Sequence, residues 1–200
     1  MAPPHYAATP TERIMLELIE HEAIVCEAYK DSRGVWTWGV GVTNASGHKV
    51  YPRYRKNPAT ILRVLEIYEW LLRTKYQPEV LKAFAGVRLS EAQLGAALSF
   101  HWNTGAIGEA DWVRSFRRGA EKAAHSEFLN WATPREIIGR RKLERALFFD
   151  GAWSSDGVVT FYPRVDQGPR ANPIWSSATQ IDIRPELRAV CAQVAREAAR

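Results

Sequence analysis

The chain has 200 residues, 46% apolar and 24% charged, with eight tryptophans and no low-complexity tract. That globular composition gives a real core to one domain of ordinary size, or to one domain with an appendage. No run approaches the roughly 18 apolar residues of a membrane-spanning helix, and the formal net charge of +5 suits an anionic partner without choosing among nucleic acid, an acidic membrane and an anionic cell wall.

The N-terminal stretch MAPPHYAATPTER lacks the apolar core of a signal peptide, and residues 1–8 read as a loose lead-in. Thr9-Pro10-Thr11-Glu12 then reads as a capping box. It opens a helix with Ile14, Met15, Leu18 and Ile19 along one face. The pattern fades over 21–25, which puts Glu22 near the helix C-terminus. The negative end of the helix dipole and partial burial would both raise a carboxyl pKa there, as a general acid requires. Gly34, Gly39 and Gly41 punctuate the next stretch, and Val35-Trp36-Thr37-Trp38 has strand character. A small antiparallel hairpin or sheet is expected across about 29–51. Asp31 falls in its first turn, where exposure keeps a carboxylate ionised, so Glu22 and Asp31 divide the roles of acid and base. Cys26 and Cys191 read as two buried thiols made under reducing conditions, with a disulfide as the alternative.

Lys49, Arg53, Arg55, Lys56 and Arg63 form a basic loop, read as solvated or as a cationic rim toward an anionic envelope. From about 59 the chain turns helical, with Ile61, Leu65, Tyr68 and Leu72 in register. A short helix covers about 78–84, and the capping box Ser90-Glu91-Ala92-Gln93 opens an apolar helix over 91–102. It ends in LSFHWNTGAIG, where Trp102 offers a flat apolar face and Asn103 a donor and an acceptor. Helices follow at about 109–117 and 119–131. Thr133-Pro134-Arg135-Glu136 reads as another capping box before a helix to about 149. Val158–Tyr162 reads as a strand and 185–198 as a terminal helix.

The string Glu22, Ala28-Tyr29-Lys30-Asp31, Gly34, Thr37, Gly39 and Gly41 resembles the catalytic segment of the phage-type lysozymes, the glycoside hydrolase family 24 muramidases. LSFHWNTGAIG is similar to that family's second signature and IIGRRKLERALFFDG to its closing motif. The resemblance covers roughly 12–150. One departure is Val42-Thr43, where many members carry histidine, which bears on local packing more than on chemistry. The resemblance implies a mainly helical α+β fold with a small hairpin lobe and a larger helical lobe. It divides the chain into a catalytic domain, 1–150, and an extension, 151–200. The extension reads as a strap packed through Trp153, Phe161 and Trp175, or as a small wall-binding element.

The implied reaction is hydrolysis of the β-1,4 bond between N-acetylmuramic acid and N-acetylglucosamine, with inversion. Glu22 is the acid, and Asp31 with Thr37 activates water. Trp102, Asn103 and Arg141 are the implied substrate contacts, with Arg140 or Arg141 the candidate to pair with the catalytic glutamate; a C-cap turn at Asn103-Thr104-Gly105 and a solvated basic helix face are the alternatives. No cofactor or metal is implied, since the histidines do not cluster. Bacterial peptidoglycan is the expected partner, not nucleic acid, for a monomer made in the host cytoplasm and acting on the wall after release. The competing expectation is a catalytically silent peptidoglycan-binding module of the same fold. A nucleic-acid-binding protein would rest on charge alone.

Overall fold

Thr11 caps the first helix of the computed structural model, which describes residues 10–199; the sequence-expected cap, Thr9, and the lead-in lie outside them. The Thr11 hydroxyl oxygen accepts the Ile14 amide at 3.2 Å and its carbonyl accepts the Met15 amide at 3.0 Å. Helix α1 therefore spans Glu12–Glu20. The chain divides into two compact units: one contains the residues up to Leu18 with Leu72–Ser154, the other Ile19–Leu71 with Ser155 onward.

The first unit is helical. Helix α3 covers Gln77–Ala83, α4 Glu91–Thr104, α5 Asp111–Arg117, α6 Glu121–Glu127 and α7 Ile138–Asp150. Helix α4 is its centre, buried without interruption from Leu94 to His101 as an all-round apolar helix must be. Both bonds of the Ser90–Gln93 capping box are made. The helix runs to Thr104 and stops on Gly105, whose φ of +67° is the left-handed conformation a C-cap glycine supplies without strain. Phe84, Phe100, Trp112, Phe128 and Phe148 pack edge-on or tilted around it, with centroids 4.4–6.3 Å apart.

Two expectations here need correction. The helix expected over 119–131 stops at Glu127 and tightens into a 3-10 turn over Phe128–Trp131. Thr133 caps nothing: Pro134 holds the cap position in extended conformation, with no side-chain acceptor, and a 3-10 turn over Arg135–Ile137 leads into α7.

The second unit is built on a five-stranded sheet. Its strands are β1 Ile24–Lys30, β2 Trp36–Gly39, β3 Val42–Thr43, β4 Val158–Tyr162 and β5 Thr179–Asp182, in the order β3-β2-β1-β4-β5. The sequence suggested a hairpin over 29–51. Instead β1 starts at Ile24 and lies at the centre of the sheet, antiparallel to β2 and parallel to β4. A parallel pair needs a long crossover, so nothing local in the sequence names the partner. Helices α2 (Ile61–Leu71) and α8 (Arg184–Ala198) pack on each other, and α2 also packs on β1 and β2. Gly39, at φ +63°, lets α2 approach: a Cβ there would stand 3.0 Å from Val64 Cγ1. Cys26 and Cys191 form no disulfide; Cys191 is half-buried rather than buried, and burial pushes the Cys26 thiol up to about 11. No described helix is long and apolar enough to cross a membrane.

Candidate active site

Glu22 lies two residues beyond α1, in the bend that feeds β1. Its amide donates to the Ile19 carbonyl at 2.9 Å, closing the last helical turn, and the residue is half-buried. Asp31 directly follows β1 and builds the β1–β2 turn. Its amide donates to the Val35 carbonyl at 3.0 Å, and its carbonyl accepts from Gly34 at 2.9 Å. Asp31 Oδ1 accepts the amides of Arg33 and Val35, each at 2.9 Å. An aspartate suits this position because its carboxylate replaces the missing backbone acceptors of the turn. Oδ1 is thereby held, and Oδ2 accepts no hydrogen bond from the described residues.

Thr37 is buried on β2, paired with Tyr29 of β1 and Thr43 of β3. Its hydroxyl donates to the Val35 carbonyl at 3.1 Å, which leaves its oxygen lone pairs as acceptors. Tyr29 links the two carboxylates electrostatically. Burial pushes its phenol above the ordinary value, and the negative charges of Glu22 and then Asp31 push it further. Glu22, Asp31 and Thr37 thus sit at the two ends of β1 and on the strand beside it, within the sheet unit.

Trp102, Asn103 and Arg141 belong to the helical unit. Trp102 occupies the last turn of α4, half-buried, its ring 4.6 Å from that of Tyr76. Asn103 is exposed, and its side-chain oxygen accepts from Arg141 Nη2. Arg141 itself is fully buried: Nη1 pairs with Glu144 Oε2, and the guanidinium lies 4.9 Å over the Phe100 ring. Arg140 reaches Glu144 Oε1 at 2.8 Å and the Ser99 carbonyl at 3.2 Å. Both arginines therefore serve a buried carboxylate on their own helix, Glu144. Arg141 touches the exposed face only through Asn103, so its geometry suits positioning rather than direct contact. The i,i+3 spacing of Arg141 and Glu144 is the signal that could have found this pair.

Sequence patterning also missed Glu27. This buried carboxylate in the middle of β1 accepts from Arg55 at 3.1 Å, from the Lys56 amide at 2.8 Å and from Gln167 at 3.0 Å. Arg55, placed in the basic loop by its sequence, is thus an internal tie between β1 and the loop after β4. Trp175, expected to pack, is 64% exposed. Among the described residues no cluster of three His, Cys, Asp or Glu could hold a metal ion.

A family model described as phage lysozyme matches residues 19–144, spanning the segments that carry all six of these residues. No curated protein matches the chain. Among solved structures the chain resembles a variant of the phage P22 lysozyme, at 26% identity and TM-score 0.57, with 70% of this chain and 97% of that one covered. It also resembles the endolysin of the Escherichia coli phage FAHEc1, at 17% identity and TM-score 0.59, covering 76% and 100%. A third likeness, to the muramidase domain of SpmX from Asticcacaulis excentricus, has 24% identity and TM-score 0.52, covering 68% and 95%. The latter two bear on fold alone.

Proposed function

Because the chain belongs to the phage lysozyme family, we propose that it is a muramidase cutting the β-1,4 bond between N-acetylmuramic acid and N-acetylglucosamine in peptidoglycan. The family match over 19–144 carries this proposal, and the hydrogen bonds that set Asp31 and Thr37 at the β1–β2 turn support it.

Glu22 gives its proton to the leaving glycosidic oxygen. With its own proton committed to Val35, the Thr37 hydroxyl can only accept from the attacking water. The water's other O–H points to Asp31 Oδ2, which takes the proton as the oxygen attacks the anomeric carbon. Oδ1, fixed by two backbone amides, keeps the carboxylate from swinging away. Trp102 and Asn103 contact sugar rings, and Arg141 is a positioning residue that holds the Asn103 amide. Residues 1–150 carry the chemistry and 151–200 an extension that contributes β4 to the same sheet as β1. The protein acts on the wall after release from the cell that makes it, as a monomer.

The test is the release of reducing ends from purified peptidoglycan by the wild type beside Glu22→Gln, with mass spectrometry of the products. The expected result is N-acetylmuramic acid reducing ends from the wild type and a loss of about 10³-fold in the variant. Anhydro ends would make it a lytic transglycosylase. Wall binding with no cleavage by either protein would make it a silent binding module.

A further inference from the structure

A recess of about 660 Å³ opens beside Asp31 within the sheet unit. One wall is Tyr29, Lys30 and Asp31 from the β1–β2 hairpin. The other is Arg170, Asn172 and Trp175. Those three lie beyond residue 144, where the family match ends.

This second wall is held rigidly against β1. The Lys30 amide donates to the Ala171 carbonyl at 2.9 Å, and Lys30 Nζ donates to the Pro169 carbonyl at 3.4 Å. Arg55 reaches the carbonyls of Asp166 and Gly168, and Val165 and Ala171 are buried with Val25. Ala171 takes a φ of +49°, uncommon for a residue with a Cβ, and this conformation lies between Arg170 and Asn172. The Trp175 ring meets the Tyr162 ring edge-on at 5.2 Å and otherwise faces solvent. Arg170 is exposed and has no acidic partner among the described residues.

A preorganised recess with an open indole, two cations and a side-chain amide has the chemistry of a site for an amino sugar bearing a carboxylate. The indole stacks on the sugar's C–H face, the amide meets an N-acyl group, and Lys30 and Arg170 meet the carboxylate. We propose that the loop after β4 forms an accessory subsite that takes the carboxylate-bearing branch of the glycan next to Asp31. This subsite rests on the muramidase assignment above. The carboxylate has two sources: the peptide stem or, where no stem is attached, the lactyl group of the sugar, whose carboxyl is an amide wherever it bears a stem.

The experiment compares wild type, Trp175→Ala and Arg170→Ala, both at exposed side chains, on peptidoglycan with intact stems and on amidase-treated, stem-free glycan strands. Each substitution should lower kcat/KM on the stem-bearing substrate by about tenfold, through KM. A loss confined to that substrate assigns the recess to stem carboxylates. A loss confined to the stem-free strands assigns it to the lactyl carboxylate, and an equal loss on both substrates reads the sugar ring alone and overturns the carboxylate contact. Variants that match the wild type on both overturn the subsite and leave the muramidase assignment standing. A wild type that releases no reducing ends from either substrate overturns the assignment itself.

Discussion

Glu144 in the helical unit and the Glu22–Asp31 pair in the sheet unit are held in opposite ways. In the helical unit Glu144 is 1% exposed and surrounded by donors: Arg140, Arg141 and Ser99 Oγ, the last at 2.6 Å. Each charge there has a fixed partner, so the network holds α4 to α7. In the sheet unit Glu22 and Asp31 stand at either end of β1, half-buried, and among the described residues no donor reaches Asp31 Oδ2. A carboxylate can hold a fold or move a proton according to where its donors stand.

Removing one partner of the buried network breaks the comparison hardest. Glu144→Ala leaves two arginines uncompensated and should cost about 3–5 kcal/mol of stability, read by urea unfolding. A cost below about 1 kcal/mol, the ordinary value of an exposed pair, would mean that the network is solvated. Asp31→Asn should do the reverse. The amide oxygen can still accept from Arg33 and Val35, so the turn survives, while loss of the base lowers the rate of reducing-end release about 10²-fold. Asp31→Ala should lose the rate and also lower Tm, because it removes the turn acceptor as well as the base. Equal melting of the Asn and Ala variants would show that the turn does not need the side chain.

The smallest expected effect is in pH dependence. Burial holds His48 below its ordinary imidazole value, aided by the charges of Arg53 and Arg63, and its ring nitrogen bonds to Tyr54 at 2.9 Å. Burial also lowers His101, with Glu79 opposing. Between the ordinary value and the lower folded one, the unfolded chain binds more protons than the folded one. Stability is therefore fully present above the ordinary value and falls as pH drops through that window, with a slope of at most about 1.4 kcal/mol per pH unit for each histidine. His48→Gln should flatten the fall of Tm between about pH 7 and about pH 5. An unchanged slope would remove His48 as a contributor.

Much of this molecule is written locally. The Glu22, Asp31 and Thr37 string is readable because a turn, a strand and a bend impose fixed spacings on their residues. The Ser90 box and the period of α2 are readable because a helix repeats within four residues. The failures are also physical. Thr133 looks like a cap, but Pro134 takes that place, so matching the residue types was not enough. The arginine motif showed that two cations stand together, but their partner could have been any carboxylate. Glu144, on the same helix, is one that both reach.

By itself the sequence determined most of the helices, the β1–β2 turn and the family, all of which follow from short-range spacing and backbone preference. Only the tertiary structure decided that β4 lies beside β1, where Ile24 pairs with Phe161 across more than a hundred intervening residues. It also decided that Arg141 is buried and Trp175 exposed. Burial is a property of what packs against a side chain, and no residue carries that information in its own neighbourhood.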